Sequence, residues 1–431
     1  MTEQLHWQTR CYLGLTWVIS AIAPWLIRAR AAQHREDPAR WREKLGLDLA
    51  PRRNRLVIWF HGVGIGELAA LRGLVQCVVR LQPEIQVLIT SSAKSSMHIA
   101  TTFHEPQVTH QFCPLDIPQS LNRFLAHWQP AAYIVCDQDL WPRTLITLAQ
   151  SKIPTFWVNA RISERSLKGR LRLSGLYRDL LRSFREIHTT DMTMISRLIT
   201  LGASADQVRQ TPSLKRIAPP LPTQSPAGEP WWDCLSSLSY WVVVSSHAAD
   251  ETMALAAQRA CVDQGSPLQL VLVPRDLSRL ISIQSAIHEA GLKSLLISQC
   301  SYARNLSPAD IIIVDQYGRL GQALRSARWA LIGGTQDPAV GGHNPWEAVA
   351  LECPIMAGQQ TSNFTADYAL LTAYDAVTVV TDAQSVIRTL STSGAAQATR
   401  AERARLSQLT EADGLAQSII GEAGLGNHGH A

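Results

Sequence analysis

A chain of 431 residues, 46% hydrophobic and 17% charged, is too long for one core and too apolar for a disordered polymer, so two or three domains are expected. Its formal net charge of +5 is carried by residues 1–55, which hold ten Lys/Arg against five Asp/Glu. The remainder is neutral, which excludes the basic folded surface a nucleic-acid binder needs. Eight cysteines, with no CxxC among them, argue against a zinc site or redox pair and read as small buried hydrophobes in a reducing compartment.

The first predicted element is an apolar helix. Seventeen uncharged residues, Cys11 to Ile27, include Trp17 and Trp25 and reach the lower limit of a bilayer span at ~1.5 Å per residue. Pro24 interrupts the last turn. Arg28, Arg30, Arg35, Arg40, Arg42 and Lys44 follow; such charge holds the next segment on the cytoplasmic side and attracts anionic headgroups. Residues 1–50 are therefore expected to form a membrane anchor or interfacial helix. A cleaved signal peptide, with Ala21-Ile22-Ala23 as the cleavage site, and a buried core helix are the alternatives.

From residue 56 onward β-rich runs alternate with helical periodicity. The predicted strands are Leu56–Phe60, Gln86–Thr90, Gln111–Cys113, Tyr133–Cys136, Thr155–Val158, Glu186–His188 and Gln207–Gln210, then Trp241–Val244, Gln269–Val273, Ile311–Val314, Trp329–Ile332, Pro354–Met356 and Val377–Val380. Strand–helix alternation in both halves predicts two parallel sheets covered on both sides. Between them, Pro219, Pro220, Pro222, Pro226 and Pro230 mark a linker that forms neither helix nor sheet. The expected division is 51–215, linker 216–232 and 233–431: an α/β chain of two Rossmann-like domains facing across a cleft, the GT-B architecture. Ligands in such sheets bind beyond the carboxyl ends of the strands.

The unusual residues lie in those loops. Trp59-Phe60-His61-Gly62-Val63-Gly64-Ile65-Gly66-Glu67 is a glycine-rich turn into a helix, with Glu67 placed either to cap the helix or to act as a general base on a hydroxyl. Asp137 and Asp139, after a strand end, could hold a sugar hydroxyl or a metal, or one of them could cap the helix opening at Pro142. Asn159 to Ser166, with Arg161 and Arg165, suits oxyanion recognition, while Arg170 and Arg172 read as a solvated helix face. Ser246-His247 and Pro274-Arg275 stand where a nucleotide phosphate would sit. Most specific is Gly333-Gly334-Thr335 followed by Gly341-Gly342-His343-Asn344-Pro345-Trp346-Glu347. Its glycines permit close approach, Asn344 would cap a helix starting at Pro345, and free N–H groups there would meet a phosphate. Glu347 could take a ribose hydroxyl, and Gln359 to Phe364 completes the rim.

Read in order, Gly66-Glu67, Pro114-Leu115-Asp116, Leu140-Trp141-Pro142, Asn159 to Ser166, Leu214-Lys215, Ser246-His247, Pro274-Arg275, Gly341 to Pro345 and Asn363-Phe364 resemble the 3-deoxy-D-manno-octulosonic acid (Kdo) transferase family over nearly the whole chain. The resemblance implies an inverting, metal-independent glycosyltransferase with no cofactor. It would move Kdo from CMP-Kdo to a lipid A precursor at the cytoplasmic face of the bacterial inner membrane, in lipopolysaccharide assembly. By position it makes Glu67 the general base and puts Gly66, Asp137, Asp139, Arg161 and Lys215 on the acceptor side. Ser246, His247, Arg275, Gly341, Gly342, His343, Asn344, Glu347 and Asn363 fall on the CMP side. The chain departs from the family pattern at several points. Asp137 and Asp139 replace glutamates, Arg143 follows Leu-Trp-Pro in place of asparagine, and Thr90 to Ser96 replaces a Pro-Thr-Gly loop. Pro212-Ser213 stands for Gly-Asn, and Asp276-Leu277-Ser278 for His-Pro-Glu. The shorter acids alter reach, and Asp276 adds negative charge beside an anionic donor. A paralog with another donor or acceptor, an epimerase on the same fold, or a membrane-docked binding protein are the competing expectations.

Overall fold

The computed structural model describes residues 5–97, 103, 105–224, 235, 237–299 and 309–425. The chain forms two compact units, one of residues 1–218 with 409–431 and one of residues 219–408. Each is built on a seven-stranded parallel sheet.

The first sheet contains β1 (Val57–His61), β2 (Gln86–Ser91), β3 (Val108–Phe112), β4 (Pro130–Cys136), β5 (Thr155–Val158), β6 (Glu186–Thr189) and β7 (Val208–Gln210). They run in the order β3-β2-β1-β4-β5-β6-β7. Every residue of β1 is buried, as a central strand covered on both faces requires. The period-two alternation assigns its side chains to two cores. Val57 and Trp59 pack with Phe124, Trp128, Tyr133 and Trp157. Ile58 and Phe60 pack with Leu71, Leu74 and Val75 of the Ile65–Leu81 helix.

The second sheet contains β8 (Tyr240–Ser246), β9 (Gln269–Pro274), β10 (Ser294–Leu296), β11 (Ile311–Ile313), β12 (Ala330–Ile332), β13 (Ile355–Ala357) and β14 (Thr378–Val379). Their order is β10-β11-β9-β8-β12-β13-β14. Tyr240, Val242 and Val244 enter one core and Trp241 and Val243 the other. All thirteen predicted strands are present with ends shifted by up to three residues; β10, whose three residues are only half-buried, has too short a pattern to be read in advance.

The Ala395–Ile420 helix carries the chain back to the first unit. Ala412, Leu415, Ala416, Ile419 and Ile420 join the core of Ile58 and Phe60. The end of the chain thus belongs with the first sheet, a difference from the expected boundary that arises because these side chains fill its open helical face. The linker stretch differs too. Leu214–Ile217 is a 3-10 turn resting on the Ile65–Leu81 helix at Gly73, where an added Cβ would lie 2.2 Å from the Ile217 carbonyl oxygen. Residues 225–232 of the predicted linker lie outside the described residues, as do Cys234 and Cys300. Among the described cysteines Cys11 is exposed and Cys77, Cys113, Cys136, Cys261 and Cys353 are buried.

The N-terminal helix runs Trp7–Ala32 with Pro24 inside it, and it is long and apolar enough to cross a membrane by length and composition. Its polarity is inverted. Thr9, Thr16, Ser20, Ala23 and Ile27 are buried against the first unit, whereas Trp17, Val18 and Ile22 are exposed and Trp25 is 72% exposed. The alternative of a buried core helix is therefore corrected: the large apolar side chains point outward, and small polar ones hold the helix in place.

Candidate functional site

In an open parallel sheet the crevice forms where the strand order reverses. In the first unit that point lies between β1 and β4, and the residues after both strands are those singled out above. Glu67 sits in the first turn of the Ile65–Leu81 helix, and its Oε2 accepts the Gly64 N–H at 3.1 Å. The capping role is thus real, and it also orients the carboxylate at the strand end. Gly66, one residue earlier, is exposed, and an added Cβ there would meet nothing within 4 Å.

Asp137 stands at a positive φ of 67°, half-buried. Burial raises its pKa above the ordinary carboxylate value; the nearby Glu67 charge adds to that, and Arg161 and Lys215 oppose it. Glu67, Arg161 and Lys215, drawn from the helix after β1, the end of β5 and the 214–217 turn, therefore all lie near enough to act on the Asp137 carboxyl after β4. Arg161 is exposed and Lys215 half-buried. Asp139 lies 3.5 Å from Nε2 of the fully buried His61, whose Nδ1 contacts Thr90 Oγ1 at 2.9 Å. Burial alone would depress His61, but Cys113 and Asp139 outweigh it and push its pKa up to about 10.

The capping alternative for Asp137 or Asp139 is corrected. The acid at the start of the Pro142–Gln150 helix is Asp116, which accepts the Arg143 N–H, the Thr144 N–H and the Thr144 hydroxyl at 2.8, 2.8 and 2.7 Å. It reaches there from the loop after β3, a tertiary contact that local spacing does not reveal. Arg170 is likewise no solvated residue: its guanidinium lies 5.3 Å from the Tyr177 ring centroid and donates to Gln138 O at 3.3 Å.

In the second unit the order reverses between β8 and β12. After β8, Ser246 is buried and donates its hydroxyl to Glu251, which Arg279 grips with two hydrogen bonds of 2.9 and 2.6 Å. Ser246 therefore braces the loop. Asp250, buried, accepts the N–H groups of His247, Gly334 and Gln336 at 2.9, 2.7 and 3.3 Å, joining the β8 and β12 loops. His247 and His343 stack at 5.1 Å between centroids, with 2.8 Å between their Nε2 atoms. Burial, then His247, then Arg275 depress His343 to about 4. Arg275, His247 and His343 thus gather at the strand ends, while Asp276, exposed, caps its own short turn through the Ser278 N–H.

The glycines ahead of the expected phosphate cradle fold the loop on itself. The Gly341, Gly342 and His343 N–H groups donate to Asp337 O, Gly334 O and Gly333 O at 3.0, 2.8 and 3.2 Å, and the helix that follows, Trp346–Val349, is four residues long. Asn344 Oδ1 does accept the Trp346 N–H, at 3.2 Å. Asn363 closes the loop, its N–H donating to Gly341 O and its Nδ2 to Val340 O, and Glu347, in the Trp346–Val349 helix, is half-buried. Glycine is required at 341, where φ is 74° and a Cβ would lie 2.3 Å from Ser362 Oγ. The N–H groups of residues 341–343 are thus taken up within the loop. His61 and Asp116 stood in the motifs without an assigned role, and Asp250 and Glu251 were not anticipated, since only buried contacts reveal what these four do.

A family model described as 3-Deoxy-D-manno-octulosonic-acid transferase (kdotransferase) matches residues 39–218. The chain is 28% identical over 369 residues, 83% of its length, to the "Probable 3-deoxy-D-manno-octulosonic acid transferase, mitochondrial" of Arabidopsis thaliana, covering 80% of that protein. It is 27% identical over 356 residues to a Rickettsia bellii protein named 3-deoxy-D-manno-octulosonic acid transferase, covering 83% of this chain and 84% of that one. Among solved structures, a UDP-N-acetylglucosamine 2-epimerase aligns with TM-score 0.55 at 12% identity, covering 88% of this chain and 99% of that one. This last likeness concerns the fold alone.

Proposed function

From the chain's membership of the Kdo transferase family, as a divergent member and a glycosyltransferase, we propose that it transfers Kdo from CMP-Kdo to a lipid A-type glycolipid at the cytoplasmic face of the inner membrane. The observation that carries the reading is the cluster of Glu67, Asp137, Arg161 and Lys215 at the switch point of the first sheet, inside the region the family model matches.

The chemistry follows from those positions. Glu67 takes the proton of the acceptor hydroxyl as its oxygen attacks the anomeric carbon of Kdo. The bond to CMP breaks with its electron pair moving to the phosphate, and the new glycosidic bond forms with inversion. Arg161 and Lys215 meet the anionic acceptor, and Gly66, Asp137 and Asp139 line its place. In the second unit Arg275, His247 and His343 supply positive charge to the departing CMP phosphate, and Gly341, Gly342, Asn344, Glu347 and Asn363 shape the loop around the nucleotide, with Ser246 bracing it. The reaction needs neither a metal nor a cofactor.

The N-terminal helix is consistent with membrane association. In this reading it lies in the interface, with Trp17, Val18, Ile22 and Trp25 toward lipid and Arg28 and Arg35 toward headgroups. The test is transfer by purified protein from CMP-Kdo to a defined lipid A precursor. Acceptor-dependent release of CMP, unchanged by EDTA, is expected; a folded protein that releases none ends the proposal.

A further inference from the structure

The helix Trp7–Ala32 is joined to the first unit by hydrogen bonds of its side chains. The His6 N–H and the Thr9 hydroxyl donate to Asp179 at 2.8 and 2.6 Å. The Tyr12 hydroxyl donates to Asp116 Oδ2 at 2.9 Å. Arg143 donates from Nε to Thr16 Oγ1 at 2.7 Å and from Nη2 to Leu13 O at 2.5 Å. Thr9, Thr16 and Asp116 are buried, where such bonds are costly to break.

Asp116 ties the N-terminal helix to a second element. The same carboxylate that receives Tyr12 caps the start of the Pro142–Gln150 helix. That helix start is the end of the loop Asp137–Trp141. The loop is also pinned by Trp157 Nε1 to Asp137 O at 2.6 Å and by Arg170 to Gln138 O, and its Asp137 stands in the charged cluster with Glu67. The N-terminal helix is therefore hydrogen-bonded to Asp116 and Arg143, and Asp116 in turn fixes residues 143 and 144, directly beyond the loop in the chain. Arginine at 143, in place of the asparagine of the family pattern, supplies the reach to Thr16.

We propose that the N-terminal helix is a positioning element of the acceptor site: its Tyr12–Thr16 turn, docked on Asp116 and Arg143, fixes the loop Asp137–Trp141 for transfer. The inference rests on the acceptor reading given above. A helix that only tethers the protein to a membrane would make the same outward apolar face but would need no bonds to Asp116 and Arg143, the groups at the start of the Pro142–Gln150 helix. Misplacement of a binding loop by about 1 Å is enough to cost rate.

The experiment uses the full chain with CMP-Kdo and a short-chain, water-soluble acceptor analogue, which needs no membrane. Tyr12→Phe removes the bond to Asp116, Thr16→Val removes the bond from Arg143 together with the local one to Leu13 O, and both leave the apolar face intact. Expected are a loss of roughly tenfold in kcat/KM for the acceptor, unchanged affinity for CMP, and unchanged sedimentation with anionic vesicles. Folded variants with wild-type kinetics on the soluble acceptor overturn the inference, as does a loss confined to vesicle-borne acceptor. If either variant fails to fold, Arg143→Gln carries the same comparison. A wild-type protein without any transfer would remove the Kdo reading itself, whereas an active wild type with indifferent variants removes the positioning role alone.

Discussion

In the proposed mechanism Glu67 does two things that one substitution can separate. Its Oε2 accepts the Gly64 N–H, a bond that a glutamine carbonyl can also accept, while only a carboxylate can take the acceptor's proton. Glu67→Gln is therefore expected to keep the fold and CMP affinity and to lose transfer by roughly 100-fold or more. Steady-state kinetics beside a CMP titration check this, and full activity would remove Glu67 from the mechanism. The neighbouring acids differ in how far local reasoning could reach. Asp137 and Asp139 were visible as two carboxylates at a strand end, but their environments were not. Burial and the Glu67 charge raise the pKa of one, and the other sits beside buried His61. Those environments are made by residues distant in sequence.

At the scale of elements, the loops after β8 and β12 behave as one unit. Asp250 bonds N–H groups of both, and the stacked His247–His343 pair closes them. Because His343 titrates near 4 in the folded chain, against an ordinary 6.5, the unfolded chain binds its proton first as pH drops. The stability it contributes is complete above 6.5 and is lost progressively toward 4. Thermal melts between pH 7.5 and 4.5 should therefore fall more steeply for wild type than for His343→Gln; parallel curves would show that the ring carries no such linkage. The strands themselves were legible, because buried parallel strands read as unbroken apolar runs. What the local signature could not show is where the N–H groups of the glycine-rich loop itself point: those of residues 341–343 meet the carbonyls of Asp337, Gly334 and Gly333.

For the molecule as a whole, the closing segment is a structural part of the first unit. Leu415, Ile419 and Ile420 are buried among its core residues, and each large apolar side chain contributes about 1.5–3 kcal/mol. A chain ending at residue 408 should melt lower by roughly 10 °C or more and expose apolar surface, measured by calorimetry and dye binding; an unchanged melt would show the segment to be an appendage.

The amino-acid sequence by itself determined two parallel αβ arrays, the candidate loops at their strand ends, the family resemblance, and an apolar N-terminal helix, because periodicity, glycine spacing and ordered motifs are local properties. Only the tertiary structure decided which side of that helix is polar-bonded to Asp116 and Arg143, which acid caps the Pro142–Gln150 helix, where the last helix packs, and which backbone donors are already taken. Each of these depends on a partner far along the chain, whose burial and distance exist only once the chain has folded.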